Sequence, residues 1–214
     1  MFVGKRMTRN VITVSRGDTL KFASHVMQEH RIHQLPVVEG GELIGFVSGT
    51  DIRNSTLEET TVSEGGEIVV KNKTVGEIMT VDVITVSPSD TVEDALLIIH
   101  RRRIGALPVV EGKRLLGIIT KADVLAAFCD TLRIEEVGVR IEVLLPRDVG
   151  SFTSLIQLVR ALGEIDIEIR SLILTPSPNG FVVFVRISTI DVAAVKRELR
   201  DRGFSVAELR DFLE

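Results

Sequence analysis

At 214 residues, 44% apolar and 26% charged, the chain can form one large domain or two small ones, each with a core of its own. A net charge of −4 and a pI near 5.7 leave no basic footprint for nucleic acid. No apolar run approaches the roughly 20 residues of a membrane-spanning helix, so neither nucleic acid nor membrane is expected as a partner.

The opening "MFVGKRMTRN" lacks the apolar stretch of a secretory signal. Cys129 is the only cysteine, which excludes an internal disulfide and suits a reducing cytoplasm. The dominant feature is a repeat. The segment that starts at Val3 overlays the one that starts at Val75 without a gap through Arg53 and Leu125, an offset of 72, and close to half of the aligned positions are identical. Two copies point to a duplicated domain rather than a solenoid.

Each copy predicts the same elements. "NVITV" and "DVITV" read as short β-branched strands. Asp18-Thr19 and Asp90-Thr91 supply cap chemistry for a following helix. Leu20, Ala23, Val26 and Met27 give the first helix one apolar face, and Val92, Ala95, Leu96 and Ile99 do the same in the second. Strand pairs follow, "LPVVE" with "ELIGFVS" and "LPVVE" with "RLLGIIT", joined by the hairpin signals "GG" and "GK". A further helix begins at Thr50-Asp51-Ile52 and at Ala122, giving β-α-β-β-α twice. "STLEETTVSEGGEIVVKNK" between the copies reads as a linker loop.

The paired units resemble two cystathionine-beta-synthase (CBS) domains, which combine as a Bateman module. The resemblance rests on "VGEIMT", on "IHQLPVV" and "IGALPVV", and on the motifs "GFVSGTDI" and "GIITKADV". It implies binding of adenosine nucleotides between the two halves rather than catalysis. The expected boundaries are 1–56 for the first unit, 57–73 for the linker and 74–132 for the second unit.

From about Glu136 the pattern changes. "VGVRIEVLLP" alternates, with Val139, Ile141, Val143 and Leu145 on one face. Ser151 is placed to cap a helix whose face is Phe152, Leu155, Ile156, Val159 and Leu162, with Gly163 as its stop. "IDIEIRSLIL" and "FVVFVRIS" predict two strands about the turn "TPSPNG". "DVAAVKRELRDRG" is a helix with an acidic start and a glycine end, and "FSVAELRDFL" a last strand or edge. That β-α-β-β-α-β order is ferredoxin-like, and the stretch 137–214 resembles an ACT domain, a regulatory module that in many relatives binds amino acids. The fold class is therefore α/β (α+β): a CBS pair, then a ferredoxin-like ACT domain. A CBS pair with such a tail resembles the AcuB-type acetoin utilisation proteins.

Candidate site residues follow. Asp51 and Asp123 each close a strand-to-helix turn, where a carboxylate caps backbone N–H groups. As acceptor-only groups they equally suit the two hydroxyls of a ribose. Ser48, Thr50 and Thr120 lie beside helix N-termini, where hydroxyls can meet phosphate. His33 is either an exposed loop residue or, as the resemblance implies, a phosphate contact. The run Arg101-Arg102-Arg103 either complements a helix C-terminus or offers a phosphate ligand in Arg103. Lys121 is a cation within the second motif. The resemblance adds the matching Thr13 and Thr85 to the nucleotide set. In the ACT-like part Asp148 and Gly150 form either a plain turn or a loop for an amino acid.

His25, His30 and His33 are too loosely spaced for a metal, and Cys129 sits on an apolar helix face, where a buried hydrophobe is expected. No phosphate loop of the dinucleotide type and no catalytic serine motif is present. The reading is a regulatory, non-enzymatic homodimer that binds AMP, ADP, ATP or a relative, requires no cofactor and acts on a protein partner. The alternatives are a dimeric scaffold with vestigial sites and an amino-acid sensor.

Overall fold

The computed structural model describes residues 1–57, 61–62, 68–69, 73–146 and 151–207. The chain divides into two units, Met1–Ala127 and Phe128–Glu214.

In the first unit the helices α1 (Leu20–Glu29) and α2 (Gly49–Leu57) flank the hairpin β1 (Gln34–Glu39) and β2 (Glu42–Ser48). Two short strands, β3 (Thr61–Val62) and β4 (Ile68–Val69), pair antiparallel where the sequence predicts a linker loop. The second copy follows with α3 (Val75–Ile78), α4 (Val92–Arg102), the hairpin β5 (Ala106–Glu111) and β6 (Arg114–Thr120), and α5 (Lys121–Thr131). Local chemistry fixes the helix starts as expected. Thr19 Oγ1 accepts the Phe22 N–H at 3.2 Å, and Thr91 Oγ1 accepts the Asp94 N–H at 3.0 Å. The four strands form one sheet in the order β1-β2-β6-β5, the two hairpins meeting at the Glu42–Arg114 pair. Both hairpins carry the same irregularity, at Val37/Val38 and at Val109/Val110.

"NVITV" and "DVITV" are not strands. Each makes a single parallel bridge, Val14 to Val37 and Val86 to Val109. The reason lies just upstream, where the two copies exchange their leading segments. The Val3 and Gly4 N–H groups donate to Asp90 and Pro88 of the second copy, and the Val75 and Gly76 N–H groups donate to Asp18 and Arg16 of the first, all at 2.8–2.9 Å. Thr8 then bridges Ile118, and Thr80 bridges Phe46. Val75, fully buried, belongs to the core of the first copy with Leu20, Ala23, Met27, Leu35 and Val47. Removing such a side chain from water contributes on the order of 1.5–3 kcal/mol. The chain between the exchanged segment and Val14 or Val86 must therefore cross from one copy to the other, which leaves it too few residues to pair along its length.

The exchange explains a glycine in each motif. A Cβ on Gly45 would overlap Met79 Sδ, and one on Gly117 would lie 2.6 Å from Met7 Sδ and 2.9 Å from the Thr8 carbonyl oxygen. These glycines seat the methionine of the opposite copy. On α4 the buried face is Val92, Ala95 and Ile99, while Leu96 is 39% exposed, so the expected stripe is one residue too wide.

The second unit holds β7 (Val139–Pro146), α6 (Ser151–Glu164), β8 (Glu168–Ser177), β9 (Gly180–Ser188), α7 (Val192–Asp201) and β10 (Ser205–Val206). The antiparallel sheet has the order β10-β7-β9-β8, the ferredoxin-like arrangement. Its core joins Ile141, Val143 and Leu145 to Val183, Val185 and Ile187, under Leu158 and Leu162 of α6 and Leu199 of α7. The buried stripe of α6 is Leu158, Ala161 and Leu162, with Leu155 half-buried beside them; Ile156 and Val159 point outward, so the expected face is rotated. Val139 at the strand start is exposed too. Gly163 lies inside α6, and Asp166, at φ 57°, makes the left-handed turn. Asp191 Oδ1 caps α7 through the Ala194 N–H at 2.9 Å, and Gly203, at φ 89°, ends it as expected. Arg202 links α7 to Glu164 at 2.7 Å; this hydrogen bond, with one from Arg160, holds the Glu164 carboxyl below its ordinary range. Asp148, Gly150 and the side chains of Ser151 and Phe152 lie outside the described residues.

Gly117→Ala is expected to cost about 1–3 kcal/mol, the range for an overpacked core, because a backbone oxygen stands in the way. Gly45→Ala is expected to cost less, because its closest obstacle is the flexible Met79 thioether and the Thr80 carbonyl is farther, at 3.2 Å. Chemical denaturation of the two variants checks the order.

Candidate functional site

The crossing segment of the first copy walls a cavity of about 750 Å³ in the first unit, within the range of small-molecule sites. Three kinds of structure line it. One is the crossing segment of the first copy, represented by Thr8, Asn10 and Ile12. A second is the turn after each first helix, Arg31 to Gln34 and Arg103 to Ala106. The third is the strand-to-helix motif of each copy, with Ser48 and Thr50 on one side and Thr120, Lys121 and Ala122 on the other. Positions 72 apart, such as Arg31 and Arg103 or Ser48 and Thr120, thus face a single cavity.

The motif aspartates have a defined local role. The Ser48 N–H and hydroxyl donate to Asp51 Oδ2 at 2.8 and 2.6 Å, and the Asp51 N–H donates back to Ser48 Oγ at 3.2 Å. Thr120 and Asp123 repeat this at 2.8, 2.7 and 3.2 Å. Each motif is a capping box that starts α2 or α5. The Ser48 and Thr120 hydroxyl protons are thereby committed, so toward any further group these oxygens can act only as acceptors. Thr50 Oγ1 instead accepts from the Arg53 guanidinium at 3.0 Å, so its own proton remains available to a ligand.

Of the residues singled out from sequence, the structure brings His33, Ser48, Thr50, Arg103, Thr120 and Lys121 together around the cavity. Thr13, Asp51, Thr85 and Asp123 are not in its lining; Asp51 borders a smaller polar hollow with Asn54, Ser55 and Lys73. Arg31 was missed, although the repeat pairs it with Arg103. Both arginines adopt the left-handed conformation, at φ 53° and 55°, where the turn after α1 and α4 favours glycine. Gln34 lies over Gly105, whose hypothetical Cβ would stand 2.9 Å from Gln34 Oε1. Among the described residues no cluster of His, Cys, Asp or Glu could hold a metal, and no helix is long and apolar enough to cross a membrane.

The CBS domain family matches residues 3–58 and 75–130, the two halves that enclose this cavity. The chain belongs to the CBS domain family. It is 32% identical over 117 residues to the CBS domain-containing protein YhcV of Bacillus subtilis, covering 55% of this chain and 78% of that one. It is 40% identical over 117 residues to the inosine-5'-monophosphate dehydrogenase of Korarchaeum cryptofilum, but this covers 54% of the chain and only 22% of the dehydrogenase. An uncharacterized protein of Methanocaldococcus jannaschii is 36% identical over 57% of this chain and 45% of its own. The chain thus spans less than half the length of these two relatives.

Among solved structures, the CBS domain pair of protein MJ0100 in complex with 5'-methylthioadenosine and S-adenosyl-L-methionine superposes with a TM-score of 0.53 at 26% identity, over 61% of this chain and 97% of that one. CBSX2 in complex with AMP gives 0.52 at 28%, over 63% and 98%. AcuB of Vibrio cholerae, ascribed to acetoin utilization, gives 0.53 at 29%, over 63% and 95%. CBS-pair relatives therefore bind adenosine compounds.

Asp51→Ala and Asp123→Ala each remove a cap and are expected to lower stability by about 0.5–2 kcal/mol. Thermal or chemical unfolding of the ligand-free protein checks this.

Proposed function

We propose that the protein is a regulatory sensor that takes an adenosine compound such as AMP, ADP or ATP into the cavity between its two CBS domains. The observation that carries this reading is the cavity itself: matching elements of both domains supply hydrogen-bonding and cationic groups to one space, in a fold whose relatives hold AMP, 5'-methylthioadenosine and S-adenosyl-L-methionine. Isoleucines and Pro36 offer an apolar wall to a flat base. The Thr50 hydroxyl, His33 and Lys121 supply donors. Asp51 and Asp123 keep one carboxylate oxygen, Oδ1, outside their caps, which leaves a second-sphere or ribose role open to them. Thr13 and Thr85 would act at the rim.

A ligand that bridges the two halves shifts a packing equilibrium only if it prefers one arrangement. Because each half holds the other's leading segment, closing on a ligand strains both together. The second unit, ACT-like in its strand order, would pass that change to a protein partner. Acetoin utilisation is the physiological setting that the AcuB likeness suggests, and a cytoplasmic location fits an adenosine ligand. An amino-acid site at Asp148 and Gly150 would be a further input. The domains would be 1–56, 74–132 and 137–214.

Calorimetry with AMP and ATP is expected to give micromolar-range binding that weakens roughly tenfold or more in Lys121→Ala, the loss of one charge-assisted contact. Absence of binding by every adenosine compound would sink the reading.

A homodimer is favoured by a difference between the copies. Leu96, Leu97 and Leu125 are 39%, 47% and 66% exposed, where the first copy has Ser24, His25 and Arg53. Apolar surface at these three positions, polar in the first copy, suits pairing with a second chain. Light scattering is expected to report a dimer that Leu97→Glu with Leu125→Glu converts to monomer.

A further inference from the structure

We infer that the cavity selects a phosphorylated ligand over a neutral or sulfonium-bearing adenosine compound, and that each chain binds one such ligand rather than two. This rests on the adenosine reading and deepens it.

The first ground is charge. Arg31, Arg103 and Lys121 line the cavity together with His33, and no carboxylate is in the lining. None of these three cations makes an ion pair among the described residues. Cations gathered on one concave, partly apolar space repel one another and raise the local concentration of anions. A nucleotide's phosphates neutralise that field. A neutral thioether gains nothing from it, and a sulfonium is opposed by it. The guanidinium groups add geometry, because a planar fork of donors matches phosphate oxygens.

The second ground is backbone conformation. Arg31 and Arg103 both hold left-handed backbone, which is unfavourable for any residue with a Cβ by about 1 kcal/mol or more. Glycine or asparagine would satisfy the turn more easily. The same side chain stands at both matching positions, and both reach the same cavity.

The third ground is asymmetry, which sets the stoichiometry. The crossing segment of the first copy lines the cavity, but its counterparts Thr80, Asp82 and Ile84 do not. On that opposite side Asp82 stands in place of Asn10 and Phe46 in place of Ile118. A carboxylate at position 82 would oppose an anion. The two left-handed arginines serve one cavity, so a second anion on the opposite side would have neither of them.

Calorimetry on the full chain with ATP, AMP, 5'-methylthioadenosine, S-adenosylmethionine and inorganic tripolyphosphate tests this. The expected result is a stoichiometry of one and ATP binding at least roughly tenfold tighter than 5'-methylthioadenosine. Arg31→Asn or Arg103→Asn is expected to weaken ATP by roughly tenfold to a hundredfold, the range for one charged hydrogen-bonding group, while 5'-methylthioadenosine stays within about twofold. Asparagine is chosen because it tolerates the left-handed turn, and equal melting temperatures establish that the variants fold. Lys121→Gln, outside both turns, provides an independent variant with the same expected split. Equal or tighter binding of 5'-methylthioadenosine or S-adenosylmethionine overturns the selectivity while the adenosine reading stands. Two equivalents of ATP overturn the stoichiometry. Tripolyphosphate binding lost in Arg31→Asn, with no adenosine compound bound, retains an anion site and sinks the adenosine reading; binding of neither sinks both.

Discussion

The reciprocal seating of Met7 against Gly117 and Met79 against Gly45 is the constraint on which the first unit depends. A thioether can fill the site only because no Cβ occupies it, and only because the leading segment of each copy has left its own copy to reach it. The backbone hydrogen bonds from Val3, Gly4, Val75 and Gly76 fix the same exchange from the other end. Between these anchors and the return bridges at Val14 and Val86, the chain has to span the boundary between the halves. In the first copy that spanning segment becomes a wall of the cavity. The cavity is thus a by-product of how the two copies are locked together.

The two motifs carry less ligand chemistry than their spacing suggests and more architecture. Their glycines make room for methionine, their hydroxyl and aspartate form a capping box, and their remaining positions differ between copies. Those differing positions face the cavity: Thr50 against Ala122, and Lys121 where the first copy has Gly49. Within the motifs, duplication preserved the parts that hold the fold and let other positions that face the cavity differ. The outcome is one lopsided cavity on a nearly symmetric frame.

Much of this was legible in the sequence. The offset of 72, the hairpin glycines, the threonine caps and the strand-helix order of the second unit all follow from local chemistry, and all appear in the structure. The exchange was not legible, for a physical reason. When two copies share "MT" and "G" at matching places, an internal contact and a crossed contact leave the same residue pattern. The same symmetry could have exposed Arg31, since its partner Arg103 was already suspect. The misjudged faces at Leu96, Ile156 and Val159 share another cause. An apolar stripe read at helical spacing shows which residues can be buried, whereas the angle at which the helix meets its sheet decides which are.

The exchanged segments also bear on how the chain acquires its structure. Val3 finds its hydrogen-bond partner at Asp90, and Thr8 finds its own at Ile118, so the first residues of the unit are ordered by contacts roughly a hundred positions away. Such distant pairings slow folding, because a long loop must close before any contact rewards it. The first copy cannot complete itself until the leading segment of the second has been synthesised: before that it lacks Val75 in its core and Met79 over Gly45. The duplicated half-domains are therefore interlocked: the first can close only once the chain has been released to about Thr80, and the second only once its own hairpin, through Thr120, is available to the waiting Val3–Thr8 segment.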